Sequence, residues 1–166
     1  MHQSQNDPRQ AEMTRLGLYG LIPFAFGAIA VWITPLLPDG AGFARTMHSM
    51  VLAYSGIITV YLAGVGAGGL VAGPRGVNDA LLPNMVVTLI AFLAVWTNLP
   101  FHLDIPLAWR HAILFLALIY LLLRDLRAVE AGNLPQWYGP LRIRLTFWAS
   151  LSILAIISKL ILTGNY

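Results

Sequence analysis

Five long apolar runs, separated by short polar punctuation, set the pattern of the chain. The first covers residues 16–37 and ends at Pro35, Pro38, Asp39 and Gly40, and the second covers 50–72. The third, 81–99, closes at Asn98 and Pro100. The fourth, 106–123, stops abruptly at Arg124 and Asp125, and the fifth covers 143–162. At about 1.5 Å of rise per residue, each run is long enough, or nearly so, to cross a hydrocarbon core of roughly 30 Å with modest tilt. The pattern predicts an all-α integral membrane protein, a bundle of five transmembrane helices. Residues 1–14 form a polar N-terminal tail, and 15–166 form a single membrane domain whose short connections leave no room for a soluble catalytic domain.

Charge gives this bundle a direction. With the N-terminus inside, Arg9, Arg15, Arg75, Arg124, Arg127, Arg142 and Arg144 collect on the cytoplasmic side, against Arg45, Arg110 and Lys159 outside. The positive-inside rule therefore orients the chain with its N-terminus inside and its C-terminus outside. Composition agrees with a membrane solvent: 58% of residues are hydrophobic and 10% are charged, where a soluble domain has about a quarter charged. The net charge of +3 is topological information, because no dense basic patch with interleaved aromatics marks a nucleic-acid surface. The absence of cysteine removes disulfide, thiolate and iron–sulfur chemistry. No Ala-x-Ala signal lies near the end of the first run, which reads against a removed signal peptide. Five spans do not divide into equal inverted repeats, which lowers the case for a repeat-type transporter.

Several phrases then become specific. They are Leu18-Tyr19-Gly20-Leu21-Ile22-Pro23-Phe24, Tyr54-Ser55 before a Gly-rich stretch, and Leu82-Pro83. Gly132-Asn133-Leu134-Pro135-Gln136-Trp137-Tyr138, followed by Leu141-Arg142 and Leu145-Thr146, completes the set. Together they resemble the transmembrane protein 69-like family of small polytopic inner-membrane proteins, a domain of unknown function (3429). That family is widespread in proteobacteria and includes a predicted mitochondrial protein of animals. The resemblance covers most of the chain after the polar start. It implies a bacterial inner-membrane address, and it carries no established reaction. Relatives often have a Gly-Gly-Ile-x-Trp-Gly phrase in the second span, where this chain has Ala63-Gly64-Val65-Gly66-Ala67-Gly68-Gly69.

That glycine run lacks the Lys and Ser/Thr of a phosphate loop. Its small-x-x-x-small spacing at Gly64/Gly68 and Gly69/Gly73 instead puts small residues on successive turns, where another helix can approach closely. Gly56, Gly64, Gly68, Gly69 and Gly73 are the expected packing or partner-interface positions. The contact is either internal or with a partner, and a cavity for a flat cofactor or lipid tail is the lesser alternative. Pro23 interrupts the first span between Gly20 and Gly27, which predicts a kink that shapes packing or, less favoured, a ligand site.

His48, His102 and His111 fall near the outer side, with Asp104 and Asp39 in reach of a metal or proton-relay reading. Interfacial hydrogen bonding is the blander reading of these residues, and ligation of a peripheral haem is a remote one. Arg124, Arg127, Arg142 and Arg144, with Trp137 and Tyr138, are expected as interfacial anchors or a docking surface for a partner or anionic headgroups. Trp32, Trp96, Trp109 and Trp148 fit the same aromatic belt. Arg110, one turn into the fourth span, can either snorkel outward or enter an intramembrane ion pair. No nucleophile–base set, carboxylate pair or metal motif supports an enzyme. The expectation is a non-catalytic accessory or assembly subunit packed against larger integral membrane subunits of a respiratory or photosynthetic complex. Phospholipids are expected to be bound, with no cofactor and no nucleic acid. The alternative is a stand-alone quinone-, lipid- or haem-binding membrane protein.

Overall fold

A computed structural model describes residues 8–38, 40–72, 81–96 and 105–164, and these fold into helices with no strand among them. The helices are α1 (Pro8–Tyr19), α2 (Ile22–Ile33), α3 (Gly40–Ala72), α4 (Leu82–Val95), α5 (Leu107–Glu130) and α6 (Tyr138–Thr163). A short 3₁₀ turn, Thr34–Leu36, follows α2. Among the described residues, three helical stretches are long and apolar enough to cross a membrane: Gln10–Ile33, Gly42–Ala72 and Tyr138–Thr163. The chain is an all-α, multi-pass membrane protein.

The first apolar run is broken where a kink was expected. α1 stops at Tyr19, and Pro23 occupies the first turn of α2, where its missing N–H is no loss. The break leaves the Gly20 carbonyl without a helical partner, and the Tyr54 hydroxyl donates to it at 2.8 Å. Phe24 packs edge-on against the same Tyr54 ring, with centroids 5.2 Å apart. Gly27 lies directly against Val51, so α2 meets α3 at close range there.

The second run is longer than its hydropathy shows, because α3 begins at Gly40 rather than near residue 50. Ala44, Met47, His48 and Val51 are buried on one face of this added segment, the spacing of an amphipathic helix. The intervening Arg45, Thr46 and Ser49 lower its average hydropathy without interrupting the face. α4 is shorter than the expected third span and ends at Val95, with Trp96 extended; residues 97–104 lie outside the described ones. Arg110 stops α4 rather than reaching outward: its Nε and Nη2 donate to the Ala94 and Val95 carbonyls, each at 2.6 Å. A cation on the last free carbonyls of a helix is a favourable C-terminal partner.

α5 runs on past Arg124 to Glu130 and closes in a Schellman turn. Gly132 adopts φ 77°, its N–H bonds the Val129 carbonyl at 3.0 Å, and the Asn133 N–H bonds the Ala128 carbonyl at 2.8 Å. Pro135 then ends the turn, and α6 starts at Tyr138, before the expected residue 143. α3 sits centrally against α2, α4 and α5, while α6 closes the bundle against α2 and α5. Phe24, Leu118, Ile153, Ile156 and Leu160 are the centre of its core. Inside lipid the hydrophobic effect does not drive this association, so close dispersion contact and polar pairs hold the bundle together.

Candidate functional site

The helical hairpin of α5 and α6 builds the polar centre of the molecule. Asp125 lies seven residues before Gly132, and Arg142 lies seven after Pro135, so an antiparallel pair of helices brings them level. The Arg142 Nε donates to Asp125 Oδ2 at 2.6 Å. Asp125 is 3% exposed and Arg142 is 2% exposed. Tyr138 is also buried and belongs to the same polar cluster. On the opposite side the pair meets α3 and α4. A Cβ added at Gly66 would lie 3.4 Å from Asp125 Oδ1 and 3.3 Å from Asn84 Nδ2. The buried Asn84 anchors itself by donating to the Ala63 carbonyl at 3.0 Å. Removing either member of such a buried pair leaves an uncompensated charge, at about 3–5 kcal/mol.

Two cavities flank this centre. A polar one of about 210 Å³ is lined by Gly66, Asn84, Tyr120, Arg124 and Arg127 among others. A mostly apolar one of about 440 Å³ lies between α1, α2, α3 and α6, and its wall includes Tyr54, Tyr61, Tyr138, Arg142 and Thr146. Two buried atoms of those residues, Arg142 Nη2 and Thr146 Oγ1, have no hydrogen-bond partner among the described residues. A larger apolar groove of about 680 Å³ runs along α4 and α5. Apart from the Tyr120 hydroxyl its lining carries no polar side chain, so it has the character of a lipid-facing surface.

A second polar site lies toward the other end of α5. His48 of α3 and His111 of α5 come together with ring centroids 6.3 Å apart, and both are buried. Neither ring nitrogen of His111 has a hydrogen-bond partner among the described residues. Among the described residues, Lys159 acts on His48 and Arg110 on His111. Lys159 itself lies over the Trp32 ring, 5.0 Å from its centroid. His102, Asp104 and Asp39 fall outside the described residues, and no cluster of three His, Asp or Glu able to hold a metal is present among the described ones.

The profile of a family described as a protein of unknown function, DUF3429, matches residues 9–158. The chain belongs to the DUF3429 family. No curated protein and no solved structure matches it at a significant level.

The phrases behind the resemblance now have places in this DUF3429 protein. Gly20, Leu21 and Phe24 at the α1–α2 break, Tyr54 of α3, and Tyr138, Leu141, Arg142, Leu145 and Thr146 of α6 all line the 440 Å³ cavity. Gly132-Asn133-Leu134-Pro135 is the turn that aligns Asp125 with Arg142, and its Leu134 side chain folds onto Gly69.

The expected packing glycines divide. Gly56 lies against Val95 of α4 and Gly69 against Leu134, 2.8 Å from an added Cβ, whereas Gly64 and Gly68 have nothing within 4 Å of one among the described residues. Gly73 is outside the described residues. Among the expected anchors, Arg127 and Arg144 are exposed, while Arg124 and Trp137 are partly buried. Arg142 and Tyr138 are buried in the ion-pair cluster instead of being presented to headgroups. Gly66 and Asn84 carry no charge to draw attention, and the sequence reading passed over both. The Asp125–Arg142 pairing had a legible signal in the equal distances of the two residues from the Gly132–Pro135 turn.

Proposed function

We propose that this protein is a non-catalytic accessory or assembly subunit of an inner-membrane complex, docking a transmembrane helix of a larger subunit along the outer face of α3. The observation that carries the reading is the open space beside Gly64 and Gly68. Val60 and Val71 are exposed on the same side of the helix, and with the two glycines they make one continuous seam. Two glycines four residues apart offer bare backbone to an incoming helix, which supplies the close dispersion and Cα–H contacts that lipid tails do not. Five spans, with the N-terminus inside and the C-terminus outside, are the topology that the arginine distribution supports. A family shared by proteobacteria and the mitochondria of animals points to the bacterial inner membrane, and to a respiratory or photosynthetic complex within it as host.

The test is Gly68→Leu in the tagged full-length chain, purified in mild detergent. The variant should insert and fold as the wild type does, yet lose the larger integral membrane subunit that travels with it. Unchanged retention of that subunit would remove the proposal's support.

A further inference from the structure

We propose that the 440 Å³ cavity beneath the α1–α2 break is a binding site for a neutral, flat, carbonyl-bearing prenyl lipid of the quinone class. Its size falls within the roughly 300–1,000 Å³ typical of small-molecule sites. Its walls are apolar, with Leu21, Phe24, Ile58 and Leu145 among them, and they are interrupted by aromatic faces. The Phe24 and Tyr54 rings meet edge to face at 5.2 Å. The Tyr54 hydroxyl is already committed to the Gly20 carbonyl, so Tyr54 contributes its ring to the wall. Leu16, Ile57 and Tyr61 both line the cavity and are exposed. The mouth therefore lies between α1 and α3 on the side of the bundle, where a ligand dissolved in the bilayer enters without crossing water.

The polar end of the cavity selects the head group. Arg142 and Thr146 line it, each only 2% exposed, and Arg142 Nη2 and Thr146 Oγ1 lack protein partners among the described residues. A buried donor left unpaired is costly, and a ligand acceptor relieves that cost. Asp125 already balances the charge of Arg142 at 2.6 Å. The site thus presents hydrogen-bond donors without net positive charge. A carboxylate or phosphate would have to shed its hydration for no counter-charge, whereas a neutral carbonyl loses little on entering and gains a donor. The ester carbonyl of a glycerolipid shares this chemistry, but its two acyl chains do not match a cavity walled by aromatic rings.

The binding site does not depend on the accessory role, and its test uses no partner subunit. A benzoquinone bearing one isoprenoid unit is titrated into the purified full-length protein in detergent, and bound stoichiometry is read by native mass spectrometry. The wild type should bind one equivalent saturably, with a two-chain phospholipid failing to compete. Thr146→Val should keep the wild-type melting temperature and weaken quinone binding about fivefold, the loss of one ordinary hydrogen bond. Ile57→Trp, which narrows the mouth from an exposed position, should weaken it tenfold or more even if Thr146→Val fails to fold. Absence of saturable binding, equal competition by the phospholipid, or wild-type affinity in Ile57→Trp would overturn the proposal.

Discussion

Gly66 and Gly68 stand two residues apart in α3 and meet opposite surroundings. At about 100° per residue they point to nearly opposite sides of the helix. On one side a Cβ at Gly66 would sit in tight contact with Asn84 and Asp125, and one at Gly56, further along, would overlap Val95. On the other, Gly64 and Gly68 meet no neighbour within 4 Å among the described residues. The same absence of a side chain thus does two jobs. It seats the buried ion pair inside the bundle, and it leaves bare backbone on the outside. A glycine-rich phrase read as a single packing motif conceals this division, because small-x-x-x-small spacing marks one face and says nothing of the other.

The contrast is open to breaking from the inside first. Asp125→Ala should have the largest effect, because it strands Arg142 at 2% exposure; a loss of about 3–5 kcal/mol is expected. Denaturation in mixed detergent micelles, with helicity as readout, measures it. Gly66→Leu should come next, since a side chain there pushes on Asn84 and Asp125 together. Overpacking of this kind costs about 1–3 kcal/mol, with more if the ion pair opens. Gly56→Leu, against Val95 alone, belongs at the lower end of that range by the same measurement.

His111 gives a prediction of the opposite sign. Its ring nitrogens have no hydrogen-bond partner among the described residues, so His111→Phe removes a buried polar group that nothing satisfies. Stability should hold or rise by about 1 kcal/mol. A loss of several kcal/mol in the same denaturation measurement would contradict this.

The gross fold was legible because hydropathy over twenty residues is a strong signal in a membrane protein. What escaped lay where hydropathy averages mislead. Residues 40–49 carry Arg45, Thr46 and Ser49, and yet they continue α3 because Ala44, Met47 and His48 bury one face. Arg124, Asp125 and Arg127 extend α5 as a helix-extending anchor does, but Asp125 turns inward to meet Arg142. Pro23 breaks the first span into α1 and α2 and sits in the first turn of the second, within a stretch, Gln10–Ile33, that still has the length and hydropathy of one span. The polar centre was missed for a related reason: charged residues beside a span read as solvated anchors, and only the hairpin geometry shows that Asp125 and Arg142 face each other. The meeting of His48 with His111 depends on how α3 packs against α5, which no local spacing encodes.

Smallest in its effect on the fold, and most direct as a test, is the double variant Gly64→Leu/Gly68→Leu. Its melting temperature and its retention of larger integral membrane subunits are measured side by side against the wild type. Replacing two open helical glycines should leave stability unchanged or raise it by about 0.5–1 kcal/mol per site through helix propensity, while retention falls to background. A variant that melts early, or one that keeps its larger partners, would contradict the separation of the two faces of α3.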